Sequence, residues 1–180
     1  LAIGTGVPIG LLMGWYKGFR KFIKPVFEIL RPIPPISWIP LTILWLGIGI
    51  KAKAFIIFFA AFIPCVINSA TGIEQTNKTL INVAKTCGAS NVEIFFKVGI
   101  PSALPIMFAG IRVALGNAWA TLVAAEMLAA NSGLGYMILM GRNYARADIV
   151  ILGMVLIGAL GALFTGTLGF IERRVIKWRT

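Results

Sequence analysis

The chain has 180 residues, is 58% hydrophobic and 13% charged, and sets 17 Lys and Arg against 6 acids for a net charge of +11. Soluble domains are nearer half apolar and about a quarter charged, so this composition, with a mean hydropathy of +0.90, excludes an ordinary soluble core and calls for a lipid-facing exterior. Histidine is absent and cysteine occurs only at Cys65 and Cys87, which excludes Ser-His-Asp and Cys-His nucleophiles, His-bearing metal sites and a disulfide framework.

A bilayer core of about 30 Å needs roughly 20 helical residues. Five apolar segments approach that length, which predicts an all-α, polytopic membrane helix bundle with a single domain over 1–180. Residues 1–16 are Gly-rich and about a turn short, as a clipped span would be. With no initiator Met and no signal sequence, a sixth span is expected upstream of Leu1. Segment 33–50 holds Pro34, Pro35, Pro40, Gly47 and Gly49 and is expected to be kinked or partly unwound. Segment 54–73 is a fuller span, bent near Pro64, and 104–127 is the most regular. Asp148 is placed to N-cap 149–171. In that last span Gly158, Ala162 and Gly166 recur every fourth residue, which lets helix backbones approach within one subunit or across a two-fold dimer. Trp178 fits an interfacial anchor.

The charges give the orientation. Lys17, Arg20, Lys21, Lys24 and Arg31 follow the first span; Lys78, Lys85 and Lys97 lie between the third and fourth; Arg173, Arg174, Lys177 and Arg179 end the chain. Alternating spans put these twelve on one side and Lys51, Lys53, Arg142 and Arg146 on the other, so the first side is cytoplasmic. Basic residues dispersed this way set membrane topology and give no reason to expect nucleic acid.

The polar stretch of about 74–103 reads as a compact knuckle. Leu80, Ala84 and Cys87 share helical spacing, and Gly88 is placed for a left-handed C-terminal position. Ser90-Asn91-Val92-Glu93 reads as a capping box that restarts a helix toward Gly99. Pro101 and Pro105 bracket the next span. Ala84, Gly88 and Ala89 offer small side chains that fit a shallow groove, and Lys85, Cys87 and Ser90 flank them. An ordinary loop with incidental helicity is the other reading of these residues.

The knuckle resembles the cytoplasmic motif of importer permeases of the ATP-binding-cassette class: EAA, three residues, Gly, nine residues, then I-x-L-P. Ala84, Gly88 and Pro101 match, Val98 and Ile100 are close substitutes, and Asn82 and Val83 replace the acid and the first alanine. RPIPPISWIPL (31–41), AGIRVALGNAWATLVAAEML (109–128) and GLGYMI (133–138) are similar to the branch that serves taurine, alkanesulfonates, nitrate and related solutes. The resemblance implies a multi-pass protein of the bacterial cytoplasmic membrane, pairing with a second copy of itself. It implies two cytoplasmic ABC ATPase subunits holding ATP and Mg, and an extracytoplasmic solute-binding protein. The knuckle would then be the coupling helix, with Ala84, Lys85, Cys87, Gly88, Ala89, Ser90 and Pro101 as its residues. This chain would carry no cofactor and no catalytic or metal site, and no P-loop is present in it.

Ionisable residues inside spans cost about 2.5–3.5 kcal/mol each on insertion scales, which makes Arg112 and Glu126 candidates for function. Arg112, Gly116, Trp119, Val123 and Glu126 form one helical stripe, with Arg112 and Glu126 about 21 Å apart along the axis. The stripe is expected to face a dimer axis or a neighbouring helix, with Trp119 as a gate near mid-membrane. Alternatively, Arg112 reaches inner headgroups while Glu126 caps or salt-bridges at the outer surface. Asn68 is a weaker pathway candidate, and polar residues of this kind more often join helices. The loop 129–147 is expected to form an outer gate or to meet the binding protein. The substrate lean is to small anions, including bicarbonate. The alternative is a secondary transporter or channel subunit without an ATPase.

Overall fold

The structure, a computed structural model, describes residues 1–176, with the backbone alone at Ala129. Trp178, Lys177 and Arg179 lie outside the described residues. The helices are α1 (Ala2–Trp15), α2 (Lys17–Leu30), α3 (Ile39–Leu46), α4 (Ile50–Glu74), α5 (Lys78–Thr86), α6 (Asn91–Ile94), α7 (Ile100–Ala129), α8 (Leu134–Asn143) and α9 (Ala147–Val175). A 3-10 turn at Pro35–Trp38 leads into α3, and a π-helical stretch at Phe95–Gly99 joins α6 to α7. Among the described residues there is no strand.

Three stretches are long and apolar enough to cross a bilayer: Ile50–Glu74, Asn91–Leu128 and Ala147–Val175. The fourth, α1, is apolar but has 14 residues. The fifth expected span, 33–50, is broken. Within it Pro35–Trp38 is a 3-10 turn, the eight residues of α3 end at Gly47 with φ +73°, and Ile50 already opens α4. Pro40 does not break α3, since it falls in the first turn, where no N–H is needed. Asp148 is not the N-cap of the last helix, which starts one residue earlier. Its carboxylate lies in the first turn and pairs with Arg146 at 2.6 Å, where a negative charge favours the helix dipole.

The helices pack as two units, and α4 and α7 pass through both. The first unit holds Leu1–Pro32 and Phe62–Val113, with Ile176. Here α1 sets Gly6, Gly10 and Gly14 against the second half of α4: Gly6 on Phe62 and Cys65, Gly10 on Val66 and Ser69, Gly14 on Ala70 and Ile73. A Cβ on Gly10 would overlap the Val66 carbonyl oxygen, so the close backbone approach requires glycine there. Gly72 against Ala103 brings α7 to α4, and Leu11, Ile73, Phe95, Ala103 and Met107 form the core.

The second unit holds Ile33–Ala61 and Ala114–Val175. Ile39, Ile56 and Ala125 make its buried centre, joining α3 to parts of α4 and α7, and the Trp38 ring packs at a tilt 5.1 Å from Phe59. Gly153 of α9 packs on Ile138 of α8, and Gly141 of α8 on Ile149. Only 6% of the most apolar stretch of α9 is buried, and Gly158 and Gly166 meet nothing within 4 Å. Of the glycines of α9, Gly153 and Gly161 face neighbours within this chain, and Gly158, Gly166 and Gly169 do not.

Candidate functional site

The knuckle is built by two interlocking termini. Asn77 caps α5 by accepting the Thr79 N–H at 2.8 Å. At the other end the Gly88 N–H reaches the Lys85 carbonyl at 2.9 Å and the Ala89 N–H reaches Ala84 at 3.0 Å, with Gly88 at φ +81°. This is a Schellman closure, and its left-handed residue favours glycine. One residue later Ser90 opens α6: its Oγ accepts the Glu93 N–H at 3.3 Å, and the Glu93 carboxylate accepts the Ser90 N–H at 3.0 Å. Both halves of the capping box are present. The turn is thus fixed from both sides within four residues.

The base of the knuckle is held by the first unit's core. Ile94 and Phe95 are buried, the Phe95 ring packs at a tilt 5.2 Å from Trp15, and Gly99 lies against the same indole. The chain does not break at Pro101. The π-helical stretch immediately before α7 shifts the hydrogen-bond frame, and Pro101 falls in the first turn of α7, where its missing N–H is tolerated. Lys85, Cys87, Gly88 and Ser90 are exposed, while Ala84, Ala89 and Pro101 are half-buried. Leu80, Val83, Val92 and Phe96 are exposed around them, Phe96 at 62%. In the sequence Leu80, Val83 and Val92 figure only in helix spacing, motif and capping box, and Phe96 not at all; the signal for an exposed rim was apolar residues on the outward side of an otherwise polar helix pair.

The residues of the α7 stripe do not converge on a single space. The Trp119 indole N–H donates to the Ile157 carbonyl of α9 at 3.3 Å, and its ring meets Phe164 edge-on at 5.1 Å. Glu126 accepts the Gly135 N–H at 2.9 Å, capping the start of α8. The carbonyl of Val123 lies under Gly135, and Gly116 meets nothing within 4 Å. Arg112 is exposed. Asn68 donates to the Pro64 carbonyl at 2.9 Å and its Cβ abuts Gly110, so it joins α4 to α7. Helix α8 occupies much of what the sequence showed as an outer loop, with Gly133 as its N-cap at φ +120°.

The Arg20 guanidinium of α2 bonds Glu74 at the end of α4 at 2.8 Å. Glu74 lies four residues before α5, so the basic segment after α1 and the knuckle share one end of this unit, as the charge pattern requires.

The profile of a family described as the binding-protein-dependent transport system inner membrane component matches residues 6–177. A protein of Methanocaldococcus jannaschii named as an ABC transporter permease is 41% identical over 180 residues, covering 99% of this chain and 67% of that protein. The taurine transport system permease protein of Escherichia coli is 34% identical over 177 residues, or 98% of this chain and 64% of that one. The nitrate import permease protein of Leptolyngbya laminosa is 33% identical over 176 residues, 98% and 63%. A solved methionine ABC transporter in an inward-facing conformation shares the fold at a TM-score of 0.72 over 99% of this chain and 88% of that chain, with 20% identity.

Proposed function

The chain belongs to the binding-protein-dependent transport inner membrane component family, and from that premise we propose that it is the permease subunit of an ATP-driven importer of small anions. It is a transport subunit of the inner membrane. Two copies form the pore, a binding protein delivers a taurine-, sulfonate-, nitrate- or bicarbonate-like solute from outside, and separate ATPase subunits drive alternating access. The names of the taurine and nitrate relatives support the solute class.

One observation carries the coupling assignment. The knuckle presents an exposed tip and an apolar rim at Leu80, Val83, Val92 and Phe96, while Ile94 and Phe95 lock its base into the core. Leu80 and Val83 are exposed on α5, outside the three bilayer-length stretches, and with the tip beside them they offer an apolar surface to a protein partner. Force applied at Ala84, Lys85, Cys87, Gly88, Ala89 and Ser90 passes through Pro101 into α7, which carries the pathway candidates Arg112, Gly116, Trp119, Val123 and Glu126; Asn68 adjoins them at Gly110. The alternative, a secondary transporter, needs no ATPase partner. Purification from native membranes tests the choice: a soluble ATPase in stoichiometric amount supports the importer, and its absence supports the secondary transporter.

A further inference from the structure

Helix α2 turns its apolar side away from the rest of the unit. Phe19, Phe22, Val26 and Ile29 lie on one side and are exposed, Phe22 at 86% and Ile29 at 72%. The opposite side, with Arg20, Lys24, Phe27 and Arg31, faces the second half of α4. In water this arrangement would leave a whole side of hydrocarbon uncovered, with Lys24 and Arg31 also exposed at the edge of the other side. At the headgroup level of a bilayer it is favourable, because the apolar side sinks into the acyl region and the polar side stays at headgroup depth. There the charged side, with Met13, Ile67 and Ala70, encloses an open pocket of about 290 Å³. Arg20 bonds Glu74 at 2.8 Å and Lys24 approaches Glu28 at 3.4 Å, so three cations in the lining meet two carboxylates and positive charge remains.

We propose that this pocket seats the headgroup phosphate of an anionic phospholipid, from the leaflet in which α2 lies. Lys24 and Arg31 meet the phosphate, and Met13 and Phe27 meet the beginning of the acyl chains. The apolar face of α2 sets the depth, and the surplus charge selects the lipid. The proposal needs only the membrane placement of α2 and stands apart from ATPase coupling, so either can fail alone.

The test uses the purified transporter complex in nanodiscs mixing phosphatidylcholine and phosphatidylglycerol, with lipid retained per permease read by native mass spectrometry. Phosphatidylglycerol is expected to be enriched above its share of the bilayer. The double variant K24Q/R31Q, which spares the Arg20–Glu74 bridge, is expected to lower that enrichment roughly tenfold while the complex stays assembled. K24R/R31K keeps both charges and retains it. Inorganic phosphate in excess leaves the enrichment unchanged. No enrichment, equal enrichment in K24Q/R31Q, loss of it in K24R/R31K, or displacement by inorganic phosphate would each overturn the proposal, the last by making this a free-anion site.

Discussion

Gly88 is the residue on which the shape of the knuckle turns. Its φ of +81° lies where a β-branched side chain is strained, by about 1–3 kcal/mol, and no neighbour within 4 Å of the added Cβ would be disturbed. Gly88→Val should therefore leave the helices folded and inserted, distort only the turn, and reduce solute uptake at least about tenfold. Uptake at the native rate with full ATPase binding would remove Gly88 from the mechanism. Glu126 acts at the opposite kind of position, holding the first turn of α8. Glu126→Ala leaves the Gly135 N–H without its acceptor, a loss of about 1–3 kcal/mol if that group stays dry. Faster amide exchange over residues 133–137 is the expected readout, and unchanged exchange would show that the bond does not hold α8. For Arg112 the prediction concerns charge: Arg112→Gln should weaken uptake of an anionic solute at unchanged ATPase binding, and native uptake would make the residue structural.

Among the elements, α5 and α6 were the most legible from sequence, because their signals are local. Gly88 and the Ser90–Glu93 box each determine backbone geometry within four residues, and the structure has both. Ser90→Ala should cost α6 about 0.5–2 kcal/mol and speed exchange at the amides of 91–94. Native protection there would show that the anchoring of Ile94 and Phe95 alone holds α6. What the sequence hid depends on distant partners. The glycines of α1 could be read as flexible, yet they are a packing surface cut to fit Val66 and Ala70. Helix α2 carries no strong local signal because its apolar residues are interspersed with lysines, and only its packing shows that Phe22 is turned outward. Trp119 and Glu126 share a stripe on α7 by arithmetic, but α9 takes one and α8 the other. A helical wheel fixes which residues share a face and leaves open what covers it. Pro101 and Pro105 looked like punctuation, and the π-helical stretch absorbs the first without ending the segment.

At the scale of the whole molecule, the account rests on a knuckle that is rigid at its base and available at its tip. The chain's two cysteines make this accessible to a direct measurement, since Cys87 is exposed beside Gly88 while Cys65 is buried in α4. A membrane-impermeant maleimide applied to inside-out vesicles stripped of ATPase should label the native chain at Cys87 alone. Returning the purified ATPase should slow that labelling at least about tenfold. Labelling of Cys87 from the outer face of intact cells, or an unchanged rate with the ATPase restored, would contradict the assignment of this knuckle as the contact through which the permease is driven.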